Sequence, residues 1–383
     1  MELQEYRFDE VSVNYDKKRV PLSGAQREKR KGNYRYYGAQ GVIDYIDDFI
    51  FDGTYLLIAE DGENLKSKKQ NIAQVVNGQF WVNNHAHIVT GNNFCDTHYL
   101  CYLINSMDLS GYVTGSAQPK LSQANLNAVS LLLPSIDVQR KIVDYLGKID
   151  KKIEINKQIN ENLLEQALAV YKAWFCEYAL SDGIRPESWP NTTIEELSIL
   201  VTRGVAPKYD DNSDQIVLNQ KCIRDHTIDL SLARRHLPKK INEKWITKGD
   251  LLINSTGTGT LGRVAQVWFD ANNMTVDSHV TIVRPKDPIL QGYLGFWGLS
   301  HESEIEAQHT GSTGQTELPR DRVKSMELPQ PDADTLRKFN ELIIPLTSAI
   351  VSNQEENARL SQIRDALLPK LMSGEIDVSY LDI

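Results

Sequence analysis

The feature that most constrains this chain is a heptad seam that occurs twice. From Ile142, residues recur at alternating spacings of four and three through Leu146, Ile149, Ile153, Asn156, Asn160, Leu163, Ala167, Val170 and Trp174. This is the a/d pattern of a helix packed lengthwise on another helix. Shifted by 197 residues, it returns as Phe339, Ile343, Leu346, Ile350, Asn353, Asn357, Leu360, Arg364, Leu367 and Leu371. A stripe of this kind also suits a helix packed on its own domain. The repeated pair of asparagines favours two helices packed on each other, because seam asparagine costs stability and sets alignment when it meets a partner. An antiparallel pair places Asn156 opposite Asn357 and Asn160 opposite Asn353, and it puts the flanking domains at opposite ends. Pro345 and Pro369 predict kinks or a late start in the second helix, and Ser373-Gly374 predicts its stop.

Ahead of each seam the chain repeats itself at an offset near 196 residues. Asn84-His85-Ala86-His87-Ile88-Val89 returns as Ser278-His279-Val280-Thr281-Ile282-Val283. Thr114-Gly115-Ser116-Ala117-Gln118 returns as Thr310-Gly311-Ser312-Thr313-Gly314-Gln315, and each copy leads to a Leu-Pro, Leu133-Pro134 and Leu328-Pro329. Short apolar runs near Gly, Asn or Asp read as strands: Val11–Val13, Tyr55–Ile58, Phe80–Val82, Leu251–Ile253 and Val264–Trp268. His98–Met107 and Tyr293–Leu299 read as short helices. The expected fold class is α+β: two mixed α/β domains separated by two long antiparallel coiled-coil helices, in a pseudo-two-fold tandem repeat. The first domain takes residues 1–134 and the first long helix 135–180. The second domain takes 181–329, and the second helix with a C-terminal tail 330–383.

The formal charge of −9 speaks against a nucleic-acid binder until its distribution is read. Residues 17–35 hold eight lysines and arginines against Glu28, a net +7, and residues 221–248 carry a net +5. Charge runs are commonly solvated faces. Here, however, Asn33, Tyr34, Tyr36, Tyr37 and Gln40 are interleaved, as in a nucleic-acid surface. The N-terminus has no basic stretch leading into an apolar core, and no run of 18 apolar residues occurs, so neither secretion nor a membrane span is expected. Cys95, Cys101, Cys176 and Cys222 are too few and scattered for a disulfide framework. A reducing, cytoplasmic setting is expected.

Several catalytic patterns fail on context. Gly257-Thr258-Gly259-Thr260-Leu261-Gly262 has GxGxxG spacing, but a strand-like segment follows where a cofactor loop opens a helix. His85, His87, Cys95, His98 and Cys101 resemble a metal cluster on paper, yet the cysteines lie in or beside an apolar helix pattern and only His85 recurs. Asp277-Ser278-His279 sits in a strand pattern, where neighbours face opposite ways. No amino-methyltransferase Asn/Asp-Pro-Pro-aromatic motif and no P-loop occurs. Neither a catalytic set nor a cofactor site is expected in this chain.

The chain resembles the specificity subunits of type I restriction-modification systems. The likeness is carried by Phe51-Asp52-Gly53-Thr54-Tyr55-Leu56-Leu57-Ile58-Ala59-Glu60-Asp61-Gly62, by Trp81 to Val89, by Leu132-Leu133-Pro134 with Gln139-Arg140-Lys141-Ile142, and by Leu367 to Ile376. The resemblance implies a non-catalytic subunit with two target-recognition domains, each reading half of a split double-stranded DNA site. Each seam covers 33 residues, about 50 Å of helix, enough to span more than one DNA turn of roughly 34 Å. Two adenine-N6 methyltransferase subunits and ATP-dependent restriction subunits are implied partners, and S-adenosylmethionine, ATP and magnesium belong to them. The halves diverge, so an asymmetric target is expected. Candidates for DNA contact are Arg27, Lys29, Arg30, Lys31 and Arg35 at phosphates and Asn33, Tyr34 and Tyr36 at bases. In the second domain they are Arg203, Lys208, Asn219, Lys221 and Arg224. Gln118, Lys120, Gln315 and Arg320 are candidates for positioning. Two rivals are a stand-alone methyltransferase or nuclease, which lacks a catalytic motif here, and a coiled-coil interaction protein without sequence-specific DNA binding, which leaves two divergent basic domains unexplained.

Overall fold

The computed structural model of the chain describes residues 1–115, 117–237, 244–311 and 316–380. It divides into two compact units, Met1–Glu154 with Ala358–Ile383, and Ile155–Asn357. The sequence places the domain limits at the feet of the long helices. The units instead divide within those helices, because each helix half packs into the core of the domain beside it.

In the first unit β1 (Gln4–Arg7) pairs with β8 (Ser130–Leu133), apart from the main sheet. The main sheet holds β2 (Ser12–Asn14), β3 (Lys31–Gly38), β4 (Gly41–Ile46), β5 (Phe51–Ala59), β6 (Ala73–Val82) and β7 (Ala86–Gly91), in the order β2-β7-β5-β6-β3-β4. β5 runs antiparallel to both β6 and β7, whereas β3 pairs parallel with β6. Successive β5 residues serve opposite faces, as strand geometry requires. Leu56 and Ile58 pack with Tyr99, Leu100 and Ile104 of the helix Thr97–Ser106. Leu57 packs with Phe80, Val82 and Ile88 on the other face. Each such burial stabilises by about 1.5–3 kcal/mol. Asp96 caps that helix by accepting from the His98 and Tyr99 N–H groups, which sets the angle at which its apolar face meets the sheet.

The second unit contains β9 (Asn191–Thr193), β10 (Ser198–Arg203), β11 (Ile216–Leu218), the hairpin of β12 (Ile223–Arg224) and β13 (Thr227–Ile228), and β14 (Arg234–Arg235). There follow β15 (Leu251–Asn254), β16 (Val264–Gln266), β17 (Met274–Val276), β18 (Val280–Pro285) and β19 (Glu327–Pro329). β15 is flanked antiparallel by β16 and β18, as β5 is by β6 and β7. β11 pairs parallel with β17, as β3 does with β6, and β19 closes on β9 as β8 does on β1. Where β6 is one continuous strand, the second unit breaks it into β16 and β17, splitting its sheet into β10-β18-β15-β16 and β14-β11-β17. The 257–262 glycine turn joins the antiparallel strands β15 and β16 and opens no helix.

The first long helix spans Ile136–Tyr171 and passes into a π-turn at Lys172–Cys176, so Trp174 lies beyond its α-helical part. The second spans Ala333–Met372. It starts well before Pro345 and continues through Pro345 and Pro369, so the expected late start does not occur. Around Pro345, packing of Leu336, Phe339, Ile343 and Ile350 with Ala167, Tyr171 and Phe175 outweighs the hydrogen bond that the proline forgoes. Within the second unit, Asn156 Nδ2 donates to Asn357 Oδ1 (2.9 Å) and Glu356 Oε2 (2.7 Å), and Asn353 Nδ2 donates to Asn160 Oδ1 (2.8 Å). Within the first, the seam residue Arg364 pairs with Asp150 (2.9 Å), which also accepts from Tyr102 (2.5 Å).

His87 is fully buried between the Asp16 carboxylate (Nδ1–Oδ2 2.6 Å) and the Leu121 carbonyl (Nε2–O 2.7 Å). Burial pushes the Asp16 carboxyl up. The His87 hydrogen bond and charge, the Ile88 N–H and Arg19 outweigh it and hold the group below its usual range. Its contribution is therefore present above the ordinary carboxylate pKa and is lost as pH falls through the lowered folded value. Asp16→Asn is expected to destabilise the first domain by about 3 kcal/mol at neutral pH. The variant should also flatten the acid limb below about pH 4, as measured by urea unfolding across pH.

Candidate nucleic-acid interface

The basic stretch of the first domain is built around the short helix Gly24–Glu28. Ser23 caps it, and Gln26 returns a bond to the Ser23 N–H. β3 follows directly, and the β4 edge strand brings acids against these cations. Arg27 pairs with Asp44 (2.9 Å), Lys31 with Asp44 (2.9 Å) and Glu28 (3.0 Å), and Arg30 with Asp47 (2.9 Å) and Asp48 (3.6 Å). Hydrogen bonds from Lys31, the Tyr45 N–H and Arg27 hold the Asp44 carboxyl down at about 2. Half of the eight cations in this run, Arg19, Arg27, Arg30 and Lys31, are therefore matched in place. Arg27 lies over the Tyr36 ring, Arg30 over Trp81 and Arg35 over Tyr37, and Arg35 also donates to the Asn77 carbonyl (2.6 Å). Lys29 is exposed, with no carboxylate partner among the described residues. Asn33 is exposed, and Tyr34 is half-buried with its ring 5.1 Å from Phe49.

Tyr36 is a correction. It is completely buried, with its hydroxyl accepting from the Leu22 N–H (2.8 Å). Alternation along β3 turns it inward, so it supports the strand and does not reach a base. Gln118 and Lys120 lie on the loop that leaves and rejoins the domain at Thr114 and Lys120, which exchange both backbone hydrogen bonds (2.8 Å each). Gly115 has φ +84°, and a Cβ there would meet the Gln118 carbonyl at 2.3 Å, so this turn requires glycine. Lys120 pairs with Glu60 (3.2 Å), which also holds Arg19 (2.8 Å).

In the second domain Lys208, Lys221 and Arg224 are exposed. Asn219 accepts from the Lys221 N–H (2.9 Å) and donates to the Leu232 carbonyl (3.0 Å), fixing the 219–232 segment. Arg203 is engaged by Glu317 (2.7 Å) and the Leu318 carbonyl (3.0 Å). Arg320 is exposed at the start of the helix Arg320–Lys324. Gln315, together with Lys239 and Lys240 of the basic run, lies outside the described residues.

The structure also brings together residues that the sequence left apart. In the first domain His85 Nδ1 lies 2.6 Å from Asp61 Oδ2, the His85 N–H donates to Asn83 Oδ1 (2.8 Å), and the His85 carbonyl accepts from Glu60 (2.9 Å). In the second, His279 Nδ1 lies 2.7 Å from Thr256 Oγ1, the His279 N–H donates to Asp277 Oδ1 (2.8 Å), and the His279 carbonyl accepts from Ser255 (2.8 Å). The loop following each corner docks alike, with Leu121 donating to Glu60 and Leu318 to Ser255 (2.8 Å each). The returning histidine was the only sequence signal for these corners. Of the other residues grouped as metal ligands by sequence, Cys95 is a buried thiol pushed up to about 12 by burial, and His87 is committed to Asp16.

Residues 2–165 match the type I restriction modification DNA specificity domain. A Haemophilus influenzae chain named as a type I restriction enzyme specificity subunit is 32% identical over 37% of this chain, which spans 36% of that relative's own length. The type I restriction enzyme MjaIX specificity subunit of Methanocaldococcus jannaschii is 27% identical over 74% of this chain and 70% of its own. In fold, the type I restriction-modification S subunit from M. genitalium superposes with a TM-score of 0.62 at 14% identity, over 97% of this chain and 96% of that one. Residues 2–165 thus carry a type I restriction modification DNA specificity domain, and the chain is similar to type I specificity subunits over most of its length.

Proposed function

We propose that this chain is the DNA sequence-specificity subunit of a type I restriction-modification complex and that each domain reads one half of an asymmetric, bipartite double-stranded site. The observation that carries this reading is the recurrence of one strand pairing in both units beneath exposed residues that differ, such as Lys29 and Asn33 in one and Lys208, Lys221 and Arg224 in the other. A common scaffold with different surfaces suits two readers of different words. The chain is non-catalytic in this reading. Two adenine-N6 methyltransferase subunits dock on the long helices and domains, restriction subunits join the full complex, and S-adenosylmethionine, ATP and magnesium serve those partners in the cytoplasm. Among the described residues no helix is long and apolar enough to cross a membrane.

In the same reading the helices form an antiparallel coiled-coil spacer, aligned by Asn156 with Asn357 and Asn160 with Asn353. The pairs make misaligned registers costly, because a shifted seam leaves amides without partners. Deleting one heptad from each helix shortens the spacer by about 10 Å. The half-sites should then move about 3 bp closer while their own bases stay the same, which methylome sequencing reads directly.

Omitting the chain from cells that hold its methyltransferase should abolish the bipartite methylated motif; a motif that persists refutes the specificity role. Replacing Lys29, Arg30 and Lys31 together by alanine should weaken DNA binding and lower the slope of log affinity against log salt by up to about 2–3. Lys29 contributes most, since Arg30 and Lys31 already face carboxylates. Titration at several salt concentrations checks this, and an unchanged slope removes the patch from the interface.

A further inference from the structure

We propose that the two histidine corners are phosphate clamps, with His85 and His279 each offering Nε2 to a backbone phosphate of its own half-site. The inference rests on the DNA-reading role proposed above and assigns atoms to it.

The corners match residue for residue: Asn83 with Asp277, His85 with His279, Asp61 with Thr256, and Gly62 with Gly257. The surrounding exposed side chains differ, down to Lys120 in one loop where the other has Glu317. Features shared by two readers of different words suit contact with what the words share. In a duplex that is the sugar-phosphate backbone.

The chemistry fits. Both histidine side chains are exposed while Nδ1 is tied to the protein, so the opposite ring edge is left for a ligand. Among the described residues neither Nε2 has a protein partner. Asp61 can accept from Nδ1 of His85 while Nε2 faces an anion, and the Thr256 hydroxyl can donate to Nδ1 of His279 so that its ring N–H points outward from Nε2. Each corner can thus present an N–H donor, by a different route. Gly62 and Gly257 have φ of +115° and +104°, and a Cβ on Gly257 would come within 2.7 Å of Gln220 Nε2. The turn beside each histidine is therefore kept bare. Each corner also adjoins its domain's candidate contact residues, because Asn83 donates to the Tyr37 carbonyl at the end of β3 and Asp277 to the Leu218 carbonyl just before Asn219.

The test uses the full chain in complex with its methyltransferase partners and DNA carrying its motif. Phosphate ethylation should interfere with wild-type binding at one equivalent phosphate in each half-site. His85→Phe should erase that interference in one half only and His279→Phe in the other, each lowering affinity about tenfold, the worth of one charge-assisted hydrogen bond. His85→Gln, which keeps a donor, should recover part of the loss, and the methylated bases should stay the same. A changed base preference overturns the proposal, and so do unchanged affinity and interference. If a variant melts early, the wild-type interference pattern alone decides, and no equivalent phosphate in the two halves overturns it. A wild-type complex that selects no DNA sequence refutes the specificity role and the clamps together. Intact selection with unaltered variants refutes the clamps alone.

Discussion

Asn156 is 1% exposed in the middle of a long helix. A buried amide without hydrogen bonds costs on the order of 1–3 kcal/mol, so the returning helix must set polar partners across from it. Asn357 and Glu356 do this, and four residues along Asn160 meets Asn353. Apolar side chains pack in more than one register, whereas amides at fixed positions discriminate among registers. Helix alignment in turn decides which ends of the two helices share a core: Val138, Ile142 and Leu146 with Leu371 and Met372 in one unit, and Ala167 and Tyr171 with Phe339 and Ile343 in the other.

The first domain carries an electrostatic problem of its own. It concentrates cations before β3 and matches them with Asp44, Asp47, Asp48 and Glu28. This reconciles a strongly basic segment with an acidic chain. Such ties restrict guanidinium and ammonium groups that would otherwise spread through solvent, and aromatic faces under Arg27, Arg30 and Arg35 restrict them further. Preorganised cations lose less entropy on meeting a ligand than free ones, although their partly neutralised charge attracts it less strongly from a distance.

Sequence alone determined the architecture in outline. Heptad spacing located both long helices because a 3.5-residue period persists over many turns. Short apolar runs beside turn residues located β5 and β15, and the 196-residue offset marked segments whose strands pair alike in the two units. The stop signal at Ser373-Gly374 was likewise local. The candidate site was legible only as composition: Lys29, Asn33, Lys221 and Arg224 do lie on the surface, but the same reading took in Tyr36.

Tertiary structure decided the rest, for a physical reason. Whether Tyr36 faces solvent depends on what packs behind β3, and whether Arg30 carries free charge depends on Asp47, which β4 brings back against it. Helix continuation through Pro345 depends on packing from outside the helix. The histidine corners depend on strands joining residues 24 and 23 positions apart, Asp61 with His85 and Thr256 with His279. Periodicity and propensity report a residue's own neighbourhood along the chain. Burial, charge pairing and side-chain juxtaposition are set by segments distant in sequence, and only folding brings those together.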